Sequence, residues 1–305
     1  MRDLPLVSVG IPFRNASRTL GDAIVSVLRQ THENLELILV DDGSTDNSIE
    51  VAKTFKDSRI RIESDGTHLN LSSRLNQIIA MSRGKYIARM DADDLCSHTR
   101  IERQVAYLEE RADVDVVGTG MCYLDAGGHP VGVYSPPSDH GAICARLPRG
   151  VGLAHATVVG RKAWFEKNRY DSTVMRAEDI ELWIRSYASS TFANVPDPLY
   201  FYRVYQSYNL RNQLKARTEA GWFSCRYYLQ NGRPLGALRE SAVQTLKLAA
   251  IAGSFAFGSR QLFVRRRFEP LSGETGAMIE AEIGLISGAA SLAVDTGGPP
   301  DDDTQ

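Results

Sequence analysis

The chain has 305 residues, 43% of them hydrophobic, and is long enough to bury one large domain with an appendage or two modest domains. Its formal net charge of -2 argues against a protein that coats nucleic acid, so we expect no nucleic-acid partner. The four cysteines have no CxxC spacing, which predicts neither a zinc site nor a disulfide framework and favours a reducing cytoplasm.

The sequence predicts neither export nor a membrane span. Few apolar residues precede Arg14, too few for a secretory signal. The longest apolar run, residues 248–258, is shorter than the roughly 20 residues that a membrane-spanning helix needs. We therefore expect a cytoplasmic protein that is not an integral membrane protein.

Apolar runs alternate with segments of helical spacing between residues 6 and 90. We predict strands at residues 6–11, 35–40, 59–63 and 86–90, and helices at residues 19–30, 48–55 and 73–82. This alternation predicts an α/β fold with a Rossmann-like, mainly parallel sheet and helices on both faces. In such sheets ligands bind beyond the carboxyl ends of the strands.

Acidic residues follow two of these strands. Asp41 and Asp42 end one strand, and the cluster Asp91, Asp93 and Asp94 ends another, so both groups could face one cleft. Three carboxylates this close cannot all be ionised cheaply unless a cation is present. Oxygen ligands favour Mg²⁺ or Mn²⁺, which bind one or two carboxylates together with water and substrate phosphates. Taken alone, such a cluster could equally cap a helix or form a turn.

The character of the chain changes at about residue 211. Between residues 211 and 270 there are 11 Lys and Arg against 3 Asp and Glu. We predict a basic helical C-terminal extension over residues 211–295 and a disordered acidic tail over residues 296–305. The apolar run at residues 248–258 precedes Arg260 and the basic triplet 265–267, which fits a helix lying in an anionic membrane interface. An ordinary core helix followed by a solvated basic turn fits equally well.

Several segments in a fixed order resemble a family 2 glycosyltransferase. The chain opens with VSVGIPFRNASRTLGDAIVSVLRQTHENLELILVDDGSTDNS and continues with GKYIARMDADD. The similarity extends through HATVVGRKAWFEKNRYDSTVMRAEDIELWIR to PLYFYRV, about two-thirds of the chain, and the ordered set is more specific than any single motif. The resemblance implies a GT-A catalytic domain over residues 1–210.

The activity that the resemblance implies is transfer of a sugar, with inversion, from a nucleotide-diphosphate donor to an acceptor hydroxyl. A UDP-sugar is the expected donor. The expected acceptor is a saccharide or a lipid-linked saccharide in bacterial surface-polysaccharide or glycolipid synthesis. Such an acceptor would give the basic extension a role at the inner face of the plasma membrane.

On the donor side, the resemblance assigns roles to residues in four motifs. Pro12 and Asn15 would border the nucleotide base, and Asp42 would accept a hydrogen bond from it. Asn70 matches a segment that approaches the donor, although it could equally cap a helix. Asp91 would lie near the ribose. These four motifs together would form the donor site.

The metal ligand that the resemblance implies is Asp93, bound to a divalent ion, Mg²⁺ or Mn²⁺, that bridges the two phosphates. A bridging cation stabilises charge on the leaving diphosphate without proton transfer. Arg203 becomes a candidate phosphate partner, because Tyr205 stands where relatives frequently have a histidine near the metal. Arg14 also departs from the family, which often has an aromatic residue there to stack on the base.

On the acceptor side, the acidic pair of AEDIELW matches the EDxxLW motif. Asp179 would be the general base beside Glu178, and His155 would line the cleft in a supporting role. One base acting opposite the leaving group gives direct displacement and therefore inversion. Without the resemblance, two acids at a helix start would simply complement the helix dipole.

Three other functions are weighed. A sugar-nucleotide nucleotidyltransferase needs a glycine-rich phosphate loop after the first strand, and PFRNASRT has no glycine. A catalytically silent sugar-nucleotide-binding relative stays open, although Asp93 and Asp179 are both intact. A simple receiver-like or dinucleotide-binding module would not require the EDIELW segment.

Overall fold

The structure is a computed structural model that describes residues 4–149, 152–204, 210–256 and 269–295. The strands are β1 Val7–Phe13, β2 Leu35–Asp41, β3 Ile60–Glu63, β4 Tyr86–Arg89, β5 Leu95–Cys96, β6 Val116–Leu124, β7 Pro130–Tyr134, β8 Val159–Arg161 and β9 Phe192–Arg203. The helices are α1 Leu20–Leu28, α2 Ser48–Thr54, α3 Leu71–Met81, α4 Arg100–Glu110, α5 His140–Arg146, α6 Lys162–Lys167, α7 Glu178–Ser186, α8 Leu210–Gln230, α9 Pro234–Ala256 and α10 Gly273–Asp295.

These strands form one sheet in the order β3-β2-β1-β4-β8-β6-β9-β5, with β7 paired to β6. Strands β1 to β4 are parallel to one another, and β6 and β9 are parallel to each other. Strand β8 joins the two groups and is antiparallel to both β4 and β6, so the six strands share one direction. The mainly parallel sheet that the sequence predicts is confirmed.

Helices cover both faces of the sheet. Leu37 and Leu39 of β2 point to one face, where Leu20 and Ile24 of α1 join the same apolar cluster. Ile38, between them, points to the other face, where α3, α6 and α7 contribute the cluster. Because both faces are covered, β2 reads as a continuous apolar run rather than an alternating one.

All seven secondary-structure elements predicted between residues 6 and 90 are present, each within two residues of the predicted bounds. The largest difference at a start is α3, which begins at Leu71 rather than at residue 73. Asn70 causes this earlier start, because its side chain accepts a hydrogen bond from the Ser73 backbone N–H at 2.8 Å and so caps the helix.

The C-terminal helices pack against the rest of the fold at two places. The Ser224 hydroxyl of α8 donates to the Pro148 carbonyl, which fixes α8 near α5 and α7. Helix α10 packs against α1, where its Ile279 and Ile286 join an apolar cluster with Val25. The basic triplet 265–267, Arg260 and the acidic tail 296–305 lie outside the described residues. In the part of the chain that is described, no helix is long and apolar enough to span a membrane.

The packing of α10 predicts that this helix contributes to the stability of the catalytic sheet. Ile286 is buried, whereas its neighbour Leu285 is 60% exposed. We expect Ile286→Ala to lower the free energy of unfolding by about 2–4 kcal/mol, because it leaves a cavity against α1 and β9. Leu285→Ala is the matched control, with an expected change within about 0.5 kcal/mol. Urea denaturation measures both, and equal small effects would mean that α10 does not fold with the sheet.

Candidate active site

Three carboxylates meet where β4 ends and the chain turns into β5. Oxygens of Asp91, Asp93 and Asp94 lie within 4.8 Å of one another. Asp94 is fully buried, and its oxygens accept hydrogen bonds from the Tyr200 hydroxyl at 2.9 Å and from the Arg203 backbone N–H at 2.8 Å. Asp94 therefore ties the loop to β9, while Asp91 and Asp93 stay partly exposed.

Burial and repulsion disfavour the ionised forms of two of these acids, Asp93 and Asp94. Burial raises the pKa of Asp93 to about 6, and the neighbouring charge of Asp91 adds to the shift. Burial also raises the pKa of Asp94 well above its ordinary value, followed by repulsion from the other two. A divalent cation would relieve this repulsion, and carboxylate oxygens suit Mg²⁺ or Mn²⁺. The cluster therefore fits a metal site by both spacing and charge.

The buried arginine Arg89 lies beside this cluster as the last residue of β4. Its guanidinium donates two hydrogen bonds to Asp91, from Nη1 at 2.8 Å and from Nη2 at 2.5 Å. Burial works against the charge of Arg89, but Asp91, Tyr200, Tyr170 and Glu178 raise its pKa above the ordinary value. The Arg89 Nε has no hydrogen-bond partner among the described residues. Arg89 thus interacts with acids from two different segments of the chain.

The acidic pair of the EDIELW segment forms the first turn of α7. Burial raises the pKa of Glu178 to about 7, with repulsion from Asp179 as the next cause. Burial also raises the pKa of Asp179, whereas Arg89 lowers the pKa of both acids. Asp91 acts on both as well, in the raising direction. The carboxylates after β4 and those of α7 therefore share one electrostatic environment around Arg89.

His155 borders this environment as a neutral group. Its Nδ1 lies 3.8 Å from Glu178 Oε1, and its Nε2 is hydrogen-bonded to the Tyr170 hydroxyl at 2.8 Å. Burial, followed by the charge of Arg89, holds the pKa of His155 well below its ordinary value. The imidazole is therefore uncharged at neutral pH, and its position agrees with a lining role.

A second polar cluster follows β2 around Asp42. Its Oδ1 accepts hydrogen bonds from the Leu69 backbone N–H at 2.8 Å and from Arg74 Nε at 3.0 Å, and its Oδ2 is 2.7 Å from His68 Nδ1. Arg74 is buried and also binds Asp65 through two nitrogens at 2.9 and 2.8 Å. Several fixed partners therefore orient Asp42 at the end of its strand.

The sheet brings both clusters to one edge. Strand β1 lies between β2 and β4 and is parallel to both. The Asp42 backbone N–H donates to the Phe13 carbonyl at 2.8 Å, and the Met90 N–H donates to the Gly10 carbonyl at 3.1 Å. The residues that follow β2 and β4 thus flank the carboxyl end of β1, as the sequence predicts for a single cleft.

Asn15 and Pro12 shape the same edge. Pro12 is buried in β1. Asn15 has φ 51°, in the left-handed region that asparagine tolerates better than most residues. Its Oδ1 accepts a hydrogen bond from the Thr45 backbone N–H at 2.8 Å, and its own N–H donates to the Ser44 hydroxyl at 3.0 Å. Asn15 therefore joins the loop after β1 to the loop after β2.

Asn70 and Arg203 both have partners within the protein. Asn70 caps α3, and its Nδ2 donates to the Ser172 carbonyl at 2.9 Å. Arg203 donates from Nη1 to the Asp93 carbonyl at 2.9 Å and from Nη2 to Asp22 at 2.7 Å. These contacts hold the loop that carries Asp93. Tyr205, the departure from the family noted in the sequence, lies outside the described residues.

Sequence reasoning missed Arg89 and Tyr170. Arg89 had a usable signal, because a charged residue inside the apolar strand YIARM requires a buried partner. Tyr170 had none, since its contact with His155 depends on how the loop after α6 folds.

The sequence of this chain is similar to those of known glycosyltransferases. The family model of glycosyl transferase family 2 matches residues 8–169. EpsE of Bacillus subtilis, which is named as a glycosyltransferase, is 34% identical to this chain over 235 residues. The match covers 75% of this chain and 78% of EpsE. The O-antigen biosynthesis glycosyltransferase WbnJ of Escherichia coli is 29% identical over 250 residues, or 75% of this chain and 96% of WbnJ.

Solved structures show the same fold. The crystal structure of S. aureus TarS 1-349 in complex with UDP-GlcNAc has a TM-score of 0.59 at 16% identity, covering 94% of this chain and 81% of that one. The complex of TarS 1-349 with UDP has a TM-score of 0.57 at 17% identity, covering 95% and 82%. This likeness confirms the predicted GT-A fold with added C-terminal helices. With the match to the family model and to EpsE, it shows that the chain is a glycosyltransferase that belongs to glycosyl transferase family 2.

Proposed function

We propose that this glycosyltransferase inverts the anomeric centre as it moves a sugar from a UDP-sugar to a hydroxyl of a saccharide or lipid-linked saccharide. We assign the reaction to residues 1–210, and place it in bacterial polysaccharide or glycolipid synthesis. One observation carries the proposal: the buried guanidinium of Arg89 is hydrogen-bonded to Asp91 after β4, and its charge also lowers the pKa of Glu178 and Asp179 at the start of α7.

The names of similar proteins support the proposed substrates. TarS was crystallised with UDP and with UDP-GlcNAc, which supports a UDP-sugar as donor. WbnJ is named for O-antigen biosynthesis, which supports a saccharide acceptor of the bacterial surface. A nucleotidyltransferase is disfavoured, because the matched family transfers sugars and the loop after β1 has no glycine.

For the donor half, we propose that the base lies between the loop of Pro12 and Asn15 and the carboxylate of Asp42. The contacts of Asp42 with Arg74 support this role, because they orient an acceptor for a base N–H. Asn70 would approach the donor from the start of α3. Arg14 occupies the position where the family often has an aromatic residue that stacks on the base. Its Nη1 lies 2.9 Å from His68 Nε2.

We propose Asp93 as the residue that holds the metal ion, Mg²⁺ or Mn²⁺, with Asp91 directed to the ribose. The fit rests on the three close carboxylates and on the raised pKa of Asp93. When bound, the ion supplies positive charge that stabilises the leaving diphosphate. Arg203 positions this loop through the Asp93 carbonyl, and it would have to exchange Asp22 for a phosphate to bind one directly.

For the acceptor half, we propose Asp179 as the general base. One of its oxygens accepts a hydrogen bond from the Ile180 backbone N–H at 2.8 Å, and the carboxylate is partly exposed. Its raised pKa makes it a stronger base than an ordinary aspartate. Asp179 would take the proton of the acceptor hydroxyl while the acceptor oxygen attacks the anomeric carbon. Glu178 and His155 would shape the pocket.

A donor screen is the direct test of this function. We expect UDP-sugars to raise the thermal midpoint of the protein in the presence of Mn²⁺, with smaller shifts for GDP- and dTDP-sugars, because binding to the folded state stabilises it. Thermal shift measurements on a panel of these donors, with and without Mn²⁺, read out both base preference and metal dependence. No stabilisation by any nucleotide sugar would contradict the proposal.

Two substitutions separate the donor and acceptor halves. We expect Asp93→Ala to abolish the metal-dependent stabilisation by the donor, whereas Asp179→Asn should retain donor binding and lose transfer by about 10²–10⁴-fold. Donor binding is measured by calorimetry and transfer by release of UDP. Asp113→Asn, on an exposed turn, is the matched control and should change neither. Unchanged donor binding in Asp93→Ala, without a metal requirement, would overturn the assignment.

The acidic pair predicts how activity depends on pH. Since the pKa of Glu178 is about 7, we expect kcat to fall as pH decreases through about 7, because the pair takes up a proton. In Glu178→Gln the midpoint of this fall should move to lower pH, since the repelling neighbour of Asp179 is gone. A pH profile of UDP release measures both, and an unchanged midpoint would exclude Glu178 from the titrating pair.

The same pair predicts a pH-dependent cost to stability. A folded-state pKa above the unfolded value of 4.5 means that folding favours the protonated acid, so stability falls as pH rises from about 4.5 to about 7. We expect Glu178→Gln to be more stable than the parent by about 1–3 kcal/mol at pH 8 and equal to it near pH 4. Urea denaturation at the two pH values checks this difference.

A further inference from the structure

Helix α9 exposes large apolar residues, whereas its buried face holds polar residues together with Ala237 and Ile251. Leu235, Leu238 and Leu246 are 80%, 69% and 70% exposed, whereas Glu240 and Gln244 are 5% and 6% exposed. This is the reverse of a helix that packs its apolar stripe onto a protein core. An exposed apolar stripe of this kind marks a surface that contacts something else.

The contacts of α9 with α8 explain the orientation. The Gln244 side chain packs against Gly221 of α8, so close that a Cβ at Gly221 would lie 3.2 Å from it. Gly236 likewise packs against the Tyr228 ring of α8. Glu240 accepts a hydrogen bond from Gln244 Nε2 at 2.7 Å within this contact. Small residues and a polar pair thus fix one face of α9 on α8.

The opposite face forms a continuous stripe. Its exposed apolar side chains follow each other at helical spacing over about four turns and about 21 Å: Leu235, Leu238, Ala242, Leu246 and Ala249. We call these five residues the α9 stripe. Its length and lack of polar side chains suit a flat apolar layer better than a small pocket.

Basic residues accompany the α9 stripe. Arg239 is exposed beside it, and Arg233 is exposed just before the helix. Long basic side chains are typical of the boundary between apolar lipid and water.

The acidic residues of α8 and α9 lie away from the α9 stripe. Glu240 is buried with Gln244, and Glu219 of α8 accepts a hydrogen bond from the Arg176 backbone N–H at 2.9 Å. The exposed surface around the α9 stripe is therefore apolar and positive. Directly after α9 the sequence adds Arg260 and the basic triplet 265–267.

We propose that the α9 stripe, with Arg233 and Arg239, docks on an anionic lipid bilayer. The stripe enters the interfacial layer, and the arginines pair with lipid phosphates. This contact depends on neither the proposed donor nor the proposed acceptor. A second copy of the chain is the less favoured occupant, because two such positive surfaces would repel each other.

Vesicle flotation with the full-length chain tests the proposal. We expect the protein to float with vesicles of phosphatidylcholine and phosphatidylglycerol, but not with phosphatidylcholine alone, and to bind less in high salt. Leu238→Glu with Leu246→Glu should weaken binding by at least about tenfold, and Arg239→Gln by about fivefold. Leu285→Glu, equally exposed on α10, is the matched control and should bind as the parent does.

Circular dichroism and light scattering complete the test. Unchanged thermal unfolding of the Leu238→Glu, Leu246→Glu variant would show that its loss of binding is not loss of folding. The proposal is overturned if the parent does not bind anionic vesicles, or if the double variant binds as well as Leu285→Glu does. It is also overturned if the parent is a dimer that the double variant dissociates and neither binds lipid, because the stripe would then join two copies.

Discussion

The ion pair between Arg89 and Asp91 is the contact on which the site depends. It places a guanidinium at the end of a buried strand, where an unpaired charge would be costly. Among the described residues, five carboxylates are grouped here, three after β4 and two at the start of α7, and the charge of Arg89 lowers the pKa of three of them, Asp93, Glu178 and Asp179. Burial, followed by repulsion from neighbouring acids, raises the pKa of Asp93, Asp94, Glu178 and Asp179. Such a site is suited to a divalent cation and to a base that binds a proton near neutral pH.

The three acids after β4 differ in their contacts with the rest of the protein. Asp94 uses both oxygens on β9 and is fully buried, so it fixes the loop. Asp91 is oriented by Arg89, and the Asp93 carbonyl is held by Arg203. The Asp93 carboxylate is thereby left for a ligand. Preorganising a site in this way lowers the cost of binding, because the loop need not be ordered when the donor arrives.

The fold could be predicted because it follows from patterns within short segments. The interaction of Arg89 with the acids of α7 could not, because it joins distant segments. The strands and helices up to residue 90 follow from apolar spacing within each segment. Arg89 and Glu178 are far apart in sequence, so only the folded sheet shows that they interact. For α9, composition predicted a basic helix, but which face is exposed depends on the fit of Gly221 and Gly236 against their neighbours. Packing of this kind has no periodic signature.

The burial of Glu178 bears on two interpretations of the EDIELW segment. Acids that only complement a helix dipole gain about 0.3–1 kcal/mol and stay ionised. Glu178 instead has its pKa raised from 4.5 to about 7, which corresponds to a cost of about 3 kcal/mol for the charged form. The free energy needed to keep Glu178 charged exceeds the stabilisation that the helix dipole provides. A catalytic role therefore explains the acidic pair better than helix stability does. The charges of Arg89 and Asp91 act on both acids, which supports the acceptor-side role that we propose for them.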